Sequence, residues 1–523
     1  MKELIDQIDS IFALWQKGEC PGGQVTVKKG GKVIYDRCFG YANLEHGIPI
    51  HETTRFHVAS VSKQVTVLSA LLLCEDGKLK LDEDIRAYVP DLIHFEEPVT
   101  VRDLMNNVSG IRDQWELLML RGVRIDDTIT MEDLKTAISM QRALNFEPKS
   151  EYLYSNSNFT LLAEMVERLS GKSLNEFATE RIFKPLGMDH TCVKEHFSQI
   201  IPEKAYSYDD NGEGKFCYHV INFAAYGATS LHTTSHDLIR LLDHYRNPSV
   251  CSKETVALMK TTPVLADGSK SIYGGGLMVG SYKGHSYFEH GGVDAAYRAH
   301  VMCFDQDDLE IAIVCNTQNT IPGVAARKIA DLVLQLPETA SAAESFKEEA
   351  EEAENAAGIY MAVSPSLIRV VITCRDGNLY LGSGARAPRL HQISGNCWQV
   401  GYTADRVYLG REKAALQMGL NLFALRKLSQ ATENEEKLLE YEGRYESAEL
   451  ETAYEIFEEG GCLFASHIRH GKQRIYPCGK DAYLMDLGEV TSILRFTRGS
   501  GNQVIGLVLD GGRVRHIGFT KAE

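Results

Sequence analysis

A serine and a lysine three residues apart, Ser60 and Lys63 in "RFHVASVSKQVTVLSALLL", stand where a β-rich run gives way to an apolar, helix-like one. Residues at i and i+3 of a helix share a face, with Cβ atoms about 5–6 Å apart, so the lysine can reach the serine hydroxyl. Serine attacks a carbonyl only when a neighbouring base takes its proton, and a lysine serves when burial or another cation lowers its pKa. A serine at a helix N-terminus also has a backbone amide to offer an oxyanion. A second group is Tyr154, Ser155 and Asn156 in "EYLYSNSNFT", just before another helical stretch. There a phenol can share the serine's proton and a carboxamide can hold a substrate carbonyl. The same Y-x-N spacing at Tyr41 and Asn43, and at Tyr245 and Asn247, reads better as a strand end and a helix end. A third group, "FEHGGVDAAYRAH", ends a β-rich run on His290, Gly291 and Gly292, with Val293 next and Arg298 beyond. Glycines there would let a substrate lie alongside a strand.

The elements that must position these groups follow from the patterning. "GGQVTVKKGGKVIYDRCFGYA" (22–42) predicts a hairpin turning at Gly30-Gly31. Helical stretches dominate to about Asn247, among them "TTSHDLIRLLDHYR" with Thr233, Thr234 and Ser235 as N-cap candidates. Strands return from about Tyr273 to Cys315, before a helix near Ala325 to Leu336. Sheet at both ends with helices between predicts an α/β (α+β) sandwich closed by its terminal strands, assigned to 1–336. The Ala- and Glu-rich stretch 337–357 reads as a linker. Beyond it, short strands with Gly, Asn and Asp turns predict two small antiparallel β-barrels, 358–428 and 437–523. "AAGIYMAVS" around Tyr360 resembles "YEGRYESAE" around Tyr445, which suggests an internal repeat, with "SQATENEEK" between the two units.

With 523 residues, more than one domain is expected. A formal net charge of -16 argues against nucleic acid as a partner, since phosphate binding needs clustered Lys and Arg. The N-terminus reads as an amphipathic helix without the basic and apolar regions of a signal peptide, and no run is long and apolar enough to span a membrane. A cytoplasmic protein is the expectation. The 12 cysteines include no C-x-x-C pair, so reduced and mostly core cysteines are expected, and no metal.

S-x-x-K, a polar triplet and K-T-G form the signature set of penicillin-binding proteins and serine β-lactamases. Here the set reads SVSK, YSN and HGG. The sequence resembles the penicillin-recognising serine hydrolases: Y-x-N is similar to the class C β-lactamase branch, and H-x-G in place of K-T-G is similar to the D-aminopeptidases. "SGIRDQW" (109–115) and "FKPLGM" (183–188) extend the likeness, as do the two C-terminal barrels. The resemblance implies Ser60 as acylated nucleophile, with Lys63 and Tyr154 sharing the proton traffic and no cofactor. It implies that Asn156 holds the substrate carbonyl, that His290 replaces the K-T-G lysine, and that the amides of Ser60 and Val293 form the oxyanion hole. Gly292 and Arg298 would line the substrate site, and a loop from the last barrel, with Asp481 as candidate, would meet a free N-terminal amine.

That assignment implies release of N-terminal D-residues, small ones such as D-Ala, from peptides or amides. A D-Ala-D-Ala carboxypeptidase, a β-lactamase or an esterase stays open, because Arg298 could restore the charge that a substrate carboxylate needs. A slowly deacylating lactam or peptide sensor is the non-enzyme alternative. A homodimer stays open as well.

Overall fold

The structure is a computed structural model that describes residues 2–210, 215–337, 345–346, 349–364, 366–382, 387–401, 405–418, 421–428, 435–488 and 490–522. Much of the expected linker 337–357 and most of "SQATENEEK" lie outside the described residues. The protein consists of two compact units: residues 1–111, 128–139 and 146–339, and residues 112–127, 140–145 and 340–523.

The first unit is organised on one antiparallel sheet. Strands β1 (Gly23–Lys29) and β2 (Lys32–Phe39) flank Gly30 and Gly31, whose φ values of 58° and 72° suit a turn that demands left-handed backbone. From the other end of the unit come β3 (Met278–Tyr282), β4 (His285–Asp294), β5 (Tyr297–Phe304) and β6 (Leu309–Cys315). The order is β3-β4-β5-β6-β1-β2, and β1 closes on β6 from Gly23↔Cys315 to Lys29↔Leu309. Alternation along β1 assigns the two faces. Val25 and Val27 join the core formed with α1 (Lys2–Ile11), Phe12, Trp15 and the later helix Pro322–Leu334. Thr26 and Gln24 point the other way, Thr26 Oγ1 lying 2.7 Å from Ser235 Oγ and Gln24 Oε1 accepting from Ser235 N.

Helix α2 (Lys63–Glu75) is buried along nearly its whole length, as expected of a helix apolar all round, and packs on α3 (Asn156–Ser170). Helix α4 (Ser235–Arg246) takes Thr234 as its N-cap, its hydroxyl accepting from Asp237 N. The cysteines are all free, but only Cys20, Cys303, Cys315 and Cys397 are buried; most of the rest are half-buried, so the expectation of core cysteines is corrected.

The second unit contains an eight-stranded and a nine-stranded antiparallel sheet. A Tyr380↔Arg389 bridge links the two edge strands of the first, and the edges of the second, Gly471–Arg474 and Tyr476–Gly479, are separated by Ile475 alone. Each sheet is therefore nearly a closed barrel. The repeat is real in three dimensions: Tyr360 OH donates to Ala356 O at 2.8 Å and Tyr445 OH to Tyr441 O at 2.7 Å, each four residues back. Ile359, Met361 and Leu428 of the first barrel pack with Ala482, Leu484 and Ile493 of the second.

Residues 112–127 and 140–145, expected with the first domain, instead pack in the second unit. Arg112 is wholly buried against Glu449 and the Arg515 carbonyl. Tyr454 OH donates to Leu120 O at 2.9 Å, and Asn145 exchanges hydrogen bonds with Arg513 O and Arg515 N. Partners some 300 to 400 residues away cannot be read from local pattern. Among the described residues no helix is long and apolar enough to cross a membrane, and no cluster of His, Cys, Asp or Glu is arranged to hold a metal.

Candidate active site

Ser60 does not begin an α-helix. A two-residue strand, Phe56–His57, leads into a 3-10 turn, Ala59–Ser62, and α2 starts only at Lys63. Ala59 has a positive φ of 48°, an uncommon conformation for a residue with a Cβ. Its amide is held at 3.1 Å by His57 Nδ1. The strained turn presents Ser60, half-buried, above the first turn of α2.

Lys63 is wholly buried. Its Nζ donates to Ser60 Oγ at 3.0 Å, to Asn156 Oδ1 at 2.8 Å and to the Ala228 carbonyl at 2.6 Å, and lies 4.8 Å from the centre of the Tyr154 ring. Ser60, Lys63, Tyr154 and Asn156, spread over nearly a hundred positions, thus meet around one amine. With Asn156 Oδ1 on the lysine, its Nδ2 is the atom that can donate to a substrate carbonyl. Asn107, at φ 55° and buried, sets the entry to α3: its Oδ1 accepts from Ser155 N at 3.1 Å and from Asn158 Nδ2 at 2.9 Å.

Strand β4 brings the third group. β3 pairs with residues 285–289 only, so from His290 to Asp294 the strand is paired on the β5 side alone and its other edge runs beside the Ser60 turn. His290 is buried, with Nδ1 2.7 Å from Gly291 O and Nε2 2.8 Å from Tyr273 OH. The carbonyl requires a proton on Nδ1, so Nε2 accepts from the phenol. Burial, reinforced by the charge of Lys63, pushes the imidazole down to about 3, so it is neutral at physiological pH. Gly292 does not leave room for a substrate, as its sequence suggested: a Cβ there would lie 2.1 Å from Val58 O and 3.2 Å from Ala59 Cβ. Its bareness lets β4 close on the nucleophile turn. Val293 follows, 63% exposed.

A match to the family model described as Beta-lactamase extends over residues 8–336, well over half of the sequence. The chain belongs to the beta-lactamase family. Among the relatives of this beta-lactamase-family protein is a D-aminopeptidase of Gluconobacter oxydans, 30% identical over 63% of this sequence and 62% of its own length. A D-aminopeptidase of Brucella anthropi is 25% identical over 96% of both sequences. The fold is shared with an octameric penicillin-binding protein homologue from Pyrococcus abyssi (TM-score 0.58, 20% identity, 90% of this protein and 99% of that one). It is shared also with a D-amino acid amidase from Ochrobactrum anthropi (TM-score 0.53, 22% identity, 64% and 99%).

Two expected site residues of this beta-lactamase-family protein are committed elsewhere. The Arg298 guanidinium is tied to the Ala295 and Tyr297 carbonyls at 2.7 and 2.8 Å and to Gln318 Oε1, so it braces the β4–β5 turn rather than standing as a carboxylate receptor. Asp481, in the second unit, accepts from Arg498 Nη2 at 2.7 Å and from Tyr441 OH at 2.6 Å. Arg498, then Tyr441, hold its carboxyl below the ordinary range, and a charge so neutralised is a poor receptor for an amine. The residues that sequence reasoning missed are His57, Asn107, Ala228, Thr229, Tyr273 and Asp294. Asp294 was visible as the acid four residues after His290; a backbone carbonyl such as that of Ala228 carries no side-chain signal at all.

Proposed function

We propose that this protein is a serine hydrolase that releases N-terminal D-amino acids, small ones such as D-Ala, from peptides or amides through an acyl-enzyme. The observation that carries the reading is Lys63 Nζ at 3.0 Å from Ser60 Oγ, with Tyr154 and Asn156 around the same amine. Ser60 Oγ attacks the substrate carbonyl while its proton passes to the Lys63–Tyr154 pair. The Ser60 and Val293 amides receive the oxyanion, and Asn156 Nδ2 orients the acyl group. The pair then returns the proton to the leaving amine, and an activated water releases the acid.

A fixed cation meeting a substrate carboxylate at 4 Å is worth about 1 kcal/mol in water and about 4 kcal/mol near a protein surface. Neutral His290 cannot supply it, and Arg298 is held by its own turn, so both weigh against carboxypeptidase and β-lactamase chemistry. The names of the relatives point the same way.

The test compares D-Ala-p-nitroanilide with its L-isomer, its N-acetyl form and a chromogenic cephalosporin. Fastest turnover of the free-amine D-substrate is expected; preference for any of the others refutes the reading. Ser60→Ala should abolish covalent labelling by a fluorophosphonate, and Lys63→Ala and Tyr154→Phe should each lower kcat by about 10²-fold or more. Near-normal turnover in either variant removes that residue from the mechanism.

A further inference from the structure

Asp294 is a carboxylate near the nucleophile turn to which the proton chemistry assigns no task. It lies one residue past Val293, at the end of the open edge of β4. A short run of hydrogen bonds joins it to the nucleophile turn. Ala59 N donates to His57 Nδ1, which leaves the ring proton on Nε2, 3.4 Å from Thr229 Oγ1. Thr229 Oγ1 in turn donates to Asp294 Oδ2. Thr229 adjoins Ala228, whose carbonyl accepts from Lys63. The second oxygen, Oδ1, has no hydrogen-bond partner among the described residues, and the side chain is 23% exposed. Asp294 is therefore oriented through one oxygen and presents the other.

Covalent geometry states where an amine receptor must be. In an α-aminoacyl substrate the nitrogen is about 2.5 Å from the carbonyl carbon, two bonds away. A charge-assisted hydrogen bond adds about 2.8 Å. The receptor oxygen must therefore lie within about 5–6 Å of the carbon under attack. Asp294 is the residue next to the proposed oxyanion amide, its Cα about 3.8 Å from that of Val293.

We propose that Asp294 Oδ1 is the receptor for the α-ammonium group of the substrate, the subsite that makes this site select amine-ended acyl groups. The inference rests on the aminopeptidase reading and replaces Asp481 in it. The groups facing Asp294 are Thr229, His57, Lys63 and Arg298. His57 is kept neutral, above all by burial. Burial raises the Asp294 carboxyl to about 6, while Thr229, Lys63 and Arg298 oppose that rise, so the group is mostly ionised at pH 7 and ready for a cation.

The test measures protection of Ser60 from a fluorophosphonate by D-alaninamide and by propionamide, which differ only in the ammonium. In the wild-type full-length protein D-alaninamide should protect at least ten-fold better, and the ratio should fall below pH 6 as Asp294 takes a proton. Asp294→Asn should collapse the ratio toward one, and Asp294→Glu should keep part of it. A ratio of two concentrations on one protein is insensitive to a general loss of reactivity. An unchanged ratio in Asp294→Asn, or a pH-independent ratio in the wild type should that variant not fold, overturns the inference. Hydrolysis of D-Ala-p-nitroanilide with an unchanged ratio sinks this inference alone. Loss of the ratio in a protein that does not hydrolyse the anilide sinks the aminopeptidase reading alone.

Discussion

Gly292→Ala should disable the site although it adds one methyl group. The new Cβ would sit 2.1 Å from the Val58 carbonyl oxygen, whereas ordinary contact begins at 3.4 Å. Strand β4 and the Ser60 turn must therefore part by about 1.3 Å. Neither side yields easily: Val58 and Ala59 are buried, and Val58 N is bonded to Leu231 O. The displacement falls between Ser60 and Val293, the two amides proposed to bind the oxyanion. A misplacement of about 1 Å costs on the order of 10²-fold in rate, and losing one oxyanion donor costs about as much. We expect kcat/KM to fall by about 10² to 10³-fold, mostly in kcat. Gly291→Ala is the internal control, because its Cβ would meet nothing closer than His300 Nδ1 at 3.3 Å; its effect should stay within about ten-fold. The assay is steady-state hydrolysis of D-Ala-p-nitroanilide beside the fluorophosphonate labelling rate, with thermal melting as a check on folding. Equal effects of the two substitutions, or a near-normal Gly292→Ala enzyme, would refute the view that this glycine exists to bring the strand onto the turn.

Asn107→Gly keeps the left-handed backbone but removes the acceptor of Ser155 N and Asn158 Nδ2, so the unit should lose about 2–5 kcal/mol in chemical denaturation; a change under about 1 kcal/mol would show that water replaces the carboxamide without cost. Acid should destabilise the first unit through its buried histidines. His232 and His290 are each pushed by burial to about 3, so below about pH 6.5 the unfolded state takes up protons that the folded one refuses, and stability falls as pH falls. At pH 5 the two together cost about 4 kcal/mol, offset by about 1 kcal/mol from Asp294, whose raised carboxyl favours the folded state on protonation. A melting temperature flat from pH 7 to pH 5 would contradict this.

Local pattern determined a good deal of this protein. The Gly30-Gly31 turn, the apolar α2, the Thr234 cap and the twin Gly-x-Tyr strands all depend on residues close in sequence, and their conformational preferences act over a few positions. The three short groups carrying Ser60, Lys63, Tyr154, Asn156 and His290 were visible too, because the chemistry requires particular side chains at fixed spacings along one element. Only the tertiary structure decided which groups are spoken for. Asp481 and Arg298 read as available charges until Arg498, Tyr441 and the Ala295 and Tyr297 carbonyls appeared beside them. Gly292 read as room for a substrate until the Val58 carbonyl filled the space, and Asp294 was no more than the acid four residues after His290 until Thr229 was seen to hold one of its oxygens, the other having no hydrogen-bond partner among the described residues. The helix Gln114–Leu120 joined the barrel unit through Tyr454 and its neighbours. The physical reason is the same in each case: a side chain's charge is written in the sequence, but its partner, its burial and the space around it are set by residues far along the sequence that only folding brings into contact.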